Sequence, residues 1–121
     1  MGLTSYKELT VWQKSIDLVI AVYKLVEKFP KSEQFGLTSQ MKRSAVSIPS
    51  NIAEGFTRKS RLQYHQFVRI AFGSGAELET QILIATKLHF ITPKDSAQAE
   101  SLLDEVMRML NRLLTSLTTS G

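Results

Sequence analysis

The residues that could do chemistry are few. The chain holds no cysteine, which removes disulfides, thiolate metal sites and cysteine nucleophiles together. Its two histidines, His65 and His89, lie 24 positions apart and outside any HExxH spacing. Neither belongs to the Glu-x-x-His pattern of di-metal bundles, because Leu62 and Thr86 stand three residues before them. Glu77 and Glu79 are two apart, so a helix turns them to different sides. Gly73-Ser74-Gly75 sits inside a helical pattern rather than after a strand, which disfavours a phosphate cradle. These observations point to no catalytic residue, no metal and no cofactor.

Charge is the strongest chemical signal. Between Gly36 and Gly75 stand Lys42, Arg43, Arg58, Lys59, Arg61 and Arg69, six basic residues against Glu54 alone. That stretch carries +5 of a whole-chain net charge of +4, and the remainder is −1. Tyr64 and Phe67 are interleaved with the cations. Such a cluster can neutralise phosphates along a nucleic-acid backbone, although it contains no base-reading motif. An ordinary solvated face that aids solubility is the competing reading. Glu54, the one acid in the stretch, suits a structural ion pair near a helix end better than a catalytic role.

The elements that must position these residues are helices. Trp12, Ile16, Val19, Tyr23 and Val26 recur at helical spacing, and Leu18, Val22, Leu25 and Phe29 widen the stripe. This predicts a helix over 9–29, with Thr10 as its cap and Pro30 as its stop. Leu37, Met41, Ala45, Ile48 and Ile52 predict a second over 37–56, kinked rather than ended at Pro49. Phe67, Ile70, Ser74, Leu78, Ile82, Ala85 and Leu88 predict a third over 60–90. Gly73 and Gly75 each cost that helix about 1 kcal/mol in propensity. Close approach of a neighbour, or a break, would account for them. Ala99, Leu102, Val106, Leu110, Leu113 and Leu117 predict a fourth over 94–117. Pro93 and Asp95 suit its first turn, Arg108 and Arg112 face away from its apolar line, and Thr118 to Gly121 fray. Short connections make neighbouring helices antiparallel.

The expected fold is therefore all-α, an antiparallel up-down four-helix bundle filling residues 1–121 as one domain. A 43% hydrophobic content suits a packed core. No run is apolar enough to span a bilayer, and Met1 to Lys7 lacks the order of a signal peptide, which places the chain in the cytoplasm. The first and fourth helices are apolar around more of their circumference than one core requires. Homo-oligomerisation explains that excess, as would a loosely patterned monomeric core.

Three stretches carry a family resemblance: Tyr6-Lys7-Glu8-Leu9-Thr10-Val11-Trp12-Gln13-Lys14, the long run from Gly36 to Gly55 containing Ser47-Ile48-Pro49-Ser50-Asn51-Ile52-Ala53-Glu54-Gly55, and Gly73 to Gln81. Together they resemble the four-helix bundle proteins encoded in intervening sequences of bacterial 23S ribosomal RNA genes. Relatives include the accessory variability determinant of diversity-generating retroelements. The resemblance implies a ring-shaped homopentamer, no enzymatic activity, and a basic surface for RNA or DNA, with a reverse transcriptase as partner in the retroelement relatives. It assigns Pro49, Asn51, Glu54 and Gly55 to the fold: a kink, a polar network and a helix terminus. Gly75 departs from the pattern, where a bulkier residue such as leucine is expected.

Overall fold

The computed structural model describes residues 2–119. Four α-helices follow one another: α1 (Thr10–Val26), α2 (Leu37–Thr57), α3 (Arg61–Lys87) and α4 (Pro93–Thr119). Single turns of 3₁₀ helix at Tyr6–Glu8 and Lys31–Glu33 precede α1 and α2. Each helix packs against two neighbours. α1 lies beside α2 and α4, and α3 lies beside α2 and α4, while among the described residues the backbones of diagonal pairs stay apart. This is the square of an antiparallel four-helix bundle, all-α as the periodicity predicts.

Helix boundaries follow local chemistry. α1 ends at Val26, three residues short of the expected Phe29. Lys28 and Phe29 continue as a turn, and Phe29 stacks on Phe90 at 5.6 Å between ring centroids. α3 stops at Lys87 rather than Phe90, because His89 takes a left-handed backbone (φ 65°). That reversal turns Phe90 back onto Phe29. Thr10 is not the cap of α1; Leu9 holds that position without a side-chain bond. α2 is capped from outside, by Glu33 Oε1 accepting the Leu37 N–H at 3.2 Å. Thr92 and Asp95 cap α4 reciprocally: the Asp95 carboxylate accepts the Thr92 N–H at 2.8 Å, and Thr92 Oγ1 accepts the Asp95 N–H at 3.2 Å. α4 runs on through Thr118 and Thr119, expected to fray, and the rest of that tail, Ser120 and Gly121, lies outside the described residues.

α2 continues through Pro49, which is buried, so the proline does not stop the helix. Ala45 loses its usual i+4 donor there. α3 is likewise continuous through Gly73 and Gly75.

The core is built from Leu18, Val22 and Leu25 of α1, Met41, Ala45, Ile48 and Ile52 of α2, Val68, Ala71, Leu78 and Ile82 of α3, and Ala99, Leu103, Val106 and Leu110 of α4. On α2 this is the predicted stripe. On α1 the buried line is Val11, Ser15, Leu18, Val22 and Leu25, while Tyr23 is 41% exposed. The line through Trp12, Ile16, Val19 and Tyr23 forms a flank instead, because α1 carries two apolar stripes and the α2–α4 cleft accepts the other. On α3, Ile70 and Leu88 turn outward and Val68, Ala71 and Gly75 take the inner positions.

Candidate nucleic-acid interface

The α2–α3 corner is tight. Arg58 ends α2, Lys59 adopts φ 57°, and Ser60 starts α3 by accepting the Gln63 N–H on its hydroxyl at 3.2 Å. A left-handed residue just past a helix end lets the chain reverse within three residues. The geometry therefore presents Arg58, Lys59 and Arg61 together at one end of the bundle.

These cations are not equivalent. The Arg58 guanidinium donates from Nη2 and Nε to Glu54 Oε2 at 2.8 and 3.1 Å, and lies over the Phe67 ring at 5.1 Å from its centroid. Glu54 is thus the structural ion-pair partner that its isolation suggests. Arg61 donates from Nε to the Leu117 carbonyl and from Nη2 to the Ser116 carbonyl, both at 3.1 Å. It places a positive charge on the last carbonyls of α4, where the helix dipole is negative. Lys59 and Arg69 are exposed and form no ion pair among the described residues. Arg69 stands two turns into α3 from Arg61, about 12 Å along the axis.

Lys42 and Arg43 lie elsewhere. Sixteen residues of α2 separate Lys42 from Arg58, about 24 Å at 1.5 Å per residue. Lys42 rests its ammonium over the Tyr23 ring, 4.8 Å from the centroid, on the α1 side. Arg43 borders the α2–α3 groove near Phe35. The basic stretch of the sequence therefore folds into two separate groups. In exchange, the antiparallel topology brings two cations from distant sequence to the corner's end: Lys7, in the 3₁₀ turn packed on α1 and α2, and Arg112, on the outer face of α4 one turn before Ser116. Counting charge along the chain misses both. Mapping the four predicted helices onto an up-down square would have found them. Glu54 and Glu8 are the acids beside the corner, and Glu8 accepts from the Thr4 N–H and hydroxyl.

The remaining motif residues hold α2 against α3. Asn51 Nδ2 donates to the Ser47 carbonyl at 2.8 Å and to Ser47 Oγ at 2.9 Å, and Ser47 Oγ hydrogen-bonds Ser74 Oγ at 2.8 Å. Gly55 is not a helix terminus, since α2 runs on to Thr57. It is a place of close approach: a Cβ there would lie 2.7 Å from Phe67 Cβ, 3.1 Å from Tyr64 Cδ1 and 3.3 Å from the Tyr64 carbonyl. Tyr64 packs edge-on to Phe56 at 5.9 Å, and burial pushes its phenol pKa up. Gly75 has a comparable role on the other flank of α3. A side chain there would overlap Met107 Sδ of α4, so Met107 fills the space that a bulkier residue would take. Among the described residues, no three His, Asp or Glu side chains gather as a metal site would require. No described helix is long and apolar enough to cross a membrane.

The fold and this corner define an all-α bundle module with a cationic end. Residues 7–112 match the model of the 23S rRNA-intervening sequence protein family, and the chain belongs to that family. The fold is also similar to the crystal structure of a protein of unknown function from the S23 ribosomal protein family of Bacteroides thetaiotaomicron, with a TM-score of 0.78 and 22% identity over 87% of this chain and 98% of that one. No curated protein matches the chain.

Proposed function

We propose that this protein is a non-enzymatic, self-associating bundle, in the homopentameric form that the resemblance favours, whose cationic end holds the phosphate backbone of RNA or DNA in the cytoplasm. The observation that carries the reading is the gathering of Arg58, Lys59, Arg61, Lys7 and Arg112 at one end from three separate stretches of the chain, with Arg69 about 12 Å further along α3, beside Glu54 and Glu8. Phosphate contacts of this kind are independent of sequence and weaken with salt. Lys59 and Arg69 supply the uncommitted charges; Arg58 and Arg61 reach phosphate only by sharing their present partners. Lys42 and Arg43 form a second, separate contact point. By analogy with the retroelement relatives, a reverse transcriptase is the partner that would bring this end to its nucleic acid.

Fluorescence anisotropy of labelled RNA and duplex DNA, titrated with protein at several salt concentrations, tests this. Log K falling linearly with log salt supports it, and Lys59→Glu with Arg69→Glu should reduce the slope by about 2. Unchanged affinity in that variant would remove the assigned end. A scaffolding role is favoured by a different observation, the exposed Ile20, Leu62, Ile70, Leu83 and Phe35, which suit protein contacts. Absence of binding at low salt, with partner proteins retained after nuclease treatment, would select it.

A further inference from the structure

A polar groove between α2 and α3, near Phe35, lies apart from the cationic corner. Its volume is about 470 Å³, open to solvent, which is enough for a small ligand. The Ser47–Ser74 hydrogen bond at 2.8 Å sets the register of the two antiparallel helices. Three residues back along α2 and three forward along α3, Ser44 comes level with Glu77. Seven residues from the same bond, Gln40 comes level with Gln81. The groove therefore runs for about 10 Å at 1.5 Å per residue, with Phe35 at its far end.

The hydrogen-bonding groups of this groove are left without partners. Ser44 is only 6% exposed, yet its hydroxyl bonds to nothing among the described residues. Gln81 Oε1 is shielded from solvent and has no partner either. Arg43 of α2 and Glu77 of α3 both line the groove and are exposed, and neither forms an ion pair among the described residues. One wall thus offers a fork of donors and the other a pair of acceptors. Phe35 is 90% exposed, and its backbone is held on both sides: Gln34 N–H bonds to the Lys31 carbonyl at 3.1 Å and Gly36 N–H to the Glu33 carbonyl at 2.9 Å. The Glu33 carboxylate beside it is committed to the Leu37 N–H.

We infer that the groove takes a guanine base, presented by a single-stranded RNA or by a free guanine nucleotide. Guanine carries two adjacent donors, N1–H and the N2 amine, which the two oxygens of Glu77 accept together. On the neighbouring edge O6 and N7 are adjacent acceptors for the Arg43 fork. The other bases do not satisfy both walls. Adenine puts an acceptor, N1, where the carboxylate needs a second donor, cytosine offers one amine, and uracil offers one N–H between two carbonyls. Phe35 supplies the flat face on which an unstacked base rests. Ser44 and Gln81 remain for the ribose hydroxyls or the rest of the ring. In its RNA form the inference rests on the nucleic-acid reading above and adds a base contact to it, about 22 Å along α2 from Arg58.

Isothermal titration calorimetry of the full chain with GMP, IMP, AMP and UMP tests this, because the four share a ribose phosphate and IMP is GMP without the N2 amine. GMP should bind, and IMP and AMP should bind at least about tenfold more weakly. Glu77→Ala, a surface change on α3, should erase the preference for GMP over IMP, whereas Arg43→Ala should weaken both; a merely structural role would leave that ratio alone. A second arm uses a short single strand of A and U with one central guanine, against the same strand with adenine there. Guanine preference in the strands supports the RNA source. Guanine preference among the nucleotides, with neither strand bound at low salt, supports the free nucleotide and removes the nucleic-acid reading. No guanine preference in either arm overturns the site, and if both strands then bind equally the phosphate reading stands without it. A preference for GMP over IMP that survives Glu77→Ala also overturns it.

Discussion

Replacing Gly55 with alanine isolates what the α2–α3 approach contributes. On helix propensity alone the change should stabilise by about 1 kcal/mol. The geometry opposes it. The new methyl would sit 2.7 Å from Phe67 Cβ and 3.3 Å from the Tyr64 carbonyl, both fixed by the α3 backbone. Carbon atoms rest at about 3.5–4.0 Å, so the helices must part by about 1 Å. Parting also stretches the Ser47–Ser74 hydrogen bond, now 2.8 Å, and the Arg58–Phe67 stack. Overpacking of this kind costs about 1–3 kcal/mol, and loss of a hydrogen bond adds about 1. The expected net effect is a loss of about 2 kcal/mol. Gly73→Ala is the internal control, because it makes the same propensity change on α3 with open space around the new methyl. It should stabilise by about 1 kcal/mol. Urea titrations followed at 222 nm, at one protein concentration, read both, with unchanged slope showing that only stability moved. A gap of about 3 kcal/mol between the two variants is expected. Equal shifts of the same sign would refute the steric account of Gly55.

Other perturbations read other parts of the fold. Gly75→Ala should cost less than Gly55→Ala, because the obstacle is the flexible Met107 thioether; a double-mutant cycle with Met107→Ala should show coupling of about 1 kcal/mol or more, and additivity would refute the contact. Lys59→Gly and His89→Gly should each raise the thermal midpoint, by relieving left-handed backbone worth about 1 kcal/mol, and only Lys59→Gly should also weaken nucleic-acid binding. Thr92→Val should destabilise by about 1 kcal/mol through loss of the α4 cap, read by the same urea titration. The Asp95 carboxyl is held below its ordinary range, first by the Thr92 N–H, then by the Thr92 side chain, with Lys28 adding attraction. Its folded pKa lies under its unfolded one, so its stabilisation is complete above about pH 4 and fades as pH falls through the lowered value. Asp95→Asn should therefore flatten the acid limb of the stability profile, and an unchanged limb would count against that assignment.

The helices and their breaks were legible because apolar spacing and proline mark them locally. Pro93 opens α4 as its type dictates. The face of α1 was not legible, since Trp12–Ile16–Val19–Tyr23 and Val11–Leu18–Val22–Leu25 are both apolar and only the neighbours choose between them. The helix ends at Val26 and Lys87 escaped because aromatic pairing of Phe29 with Phe90, 61 positions apart, decides them. Glu54 as a structural partner could be read from its isolation among cations. The split of the basic stretch could not, because Lys42 and Arg58 are close in sequence yet about 24 Å apart along a rigid rod. Gly55 looked like a terminus by residue type, whereas its value is the absence of a side chain where Phe67 passes.

That absence has a consequence for register. Apolar helices tolerate sliding by a turn, since one greasy ridge resembles the next. α2 offers only one gap in the face it turns to Tyr64 and Phe67. A slide of about 5.4 Å would set Asn51 or Arg58 against those rings in place of bare backbone. The glycine therefore works as the ward of a lock: the α2–α3 hairpin can close fully in one axial setting, a short distance from the three-residue corner that already tethers its two rods.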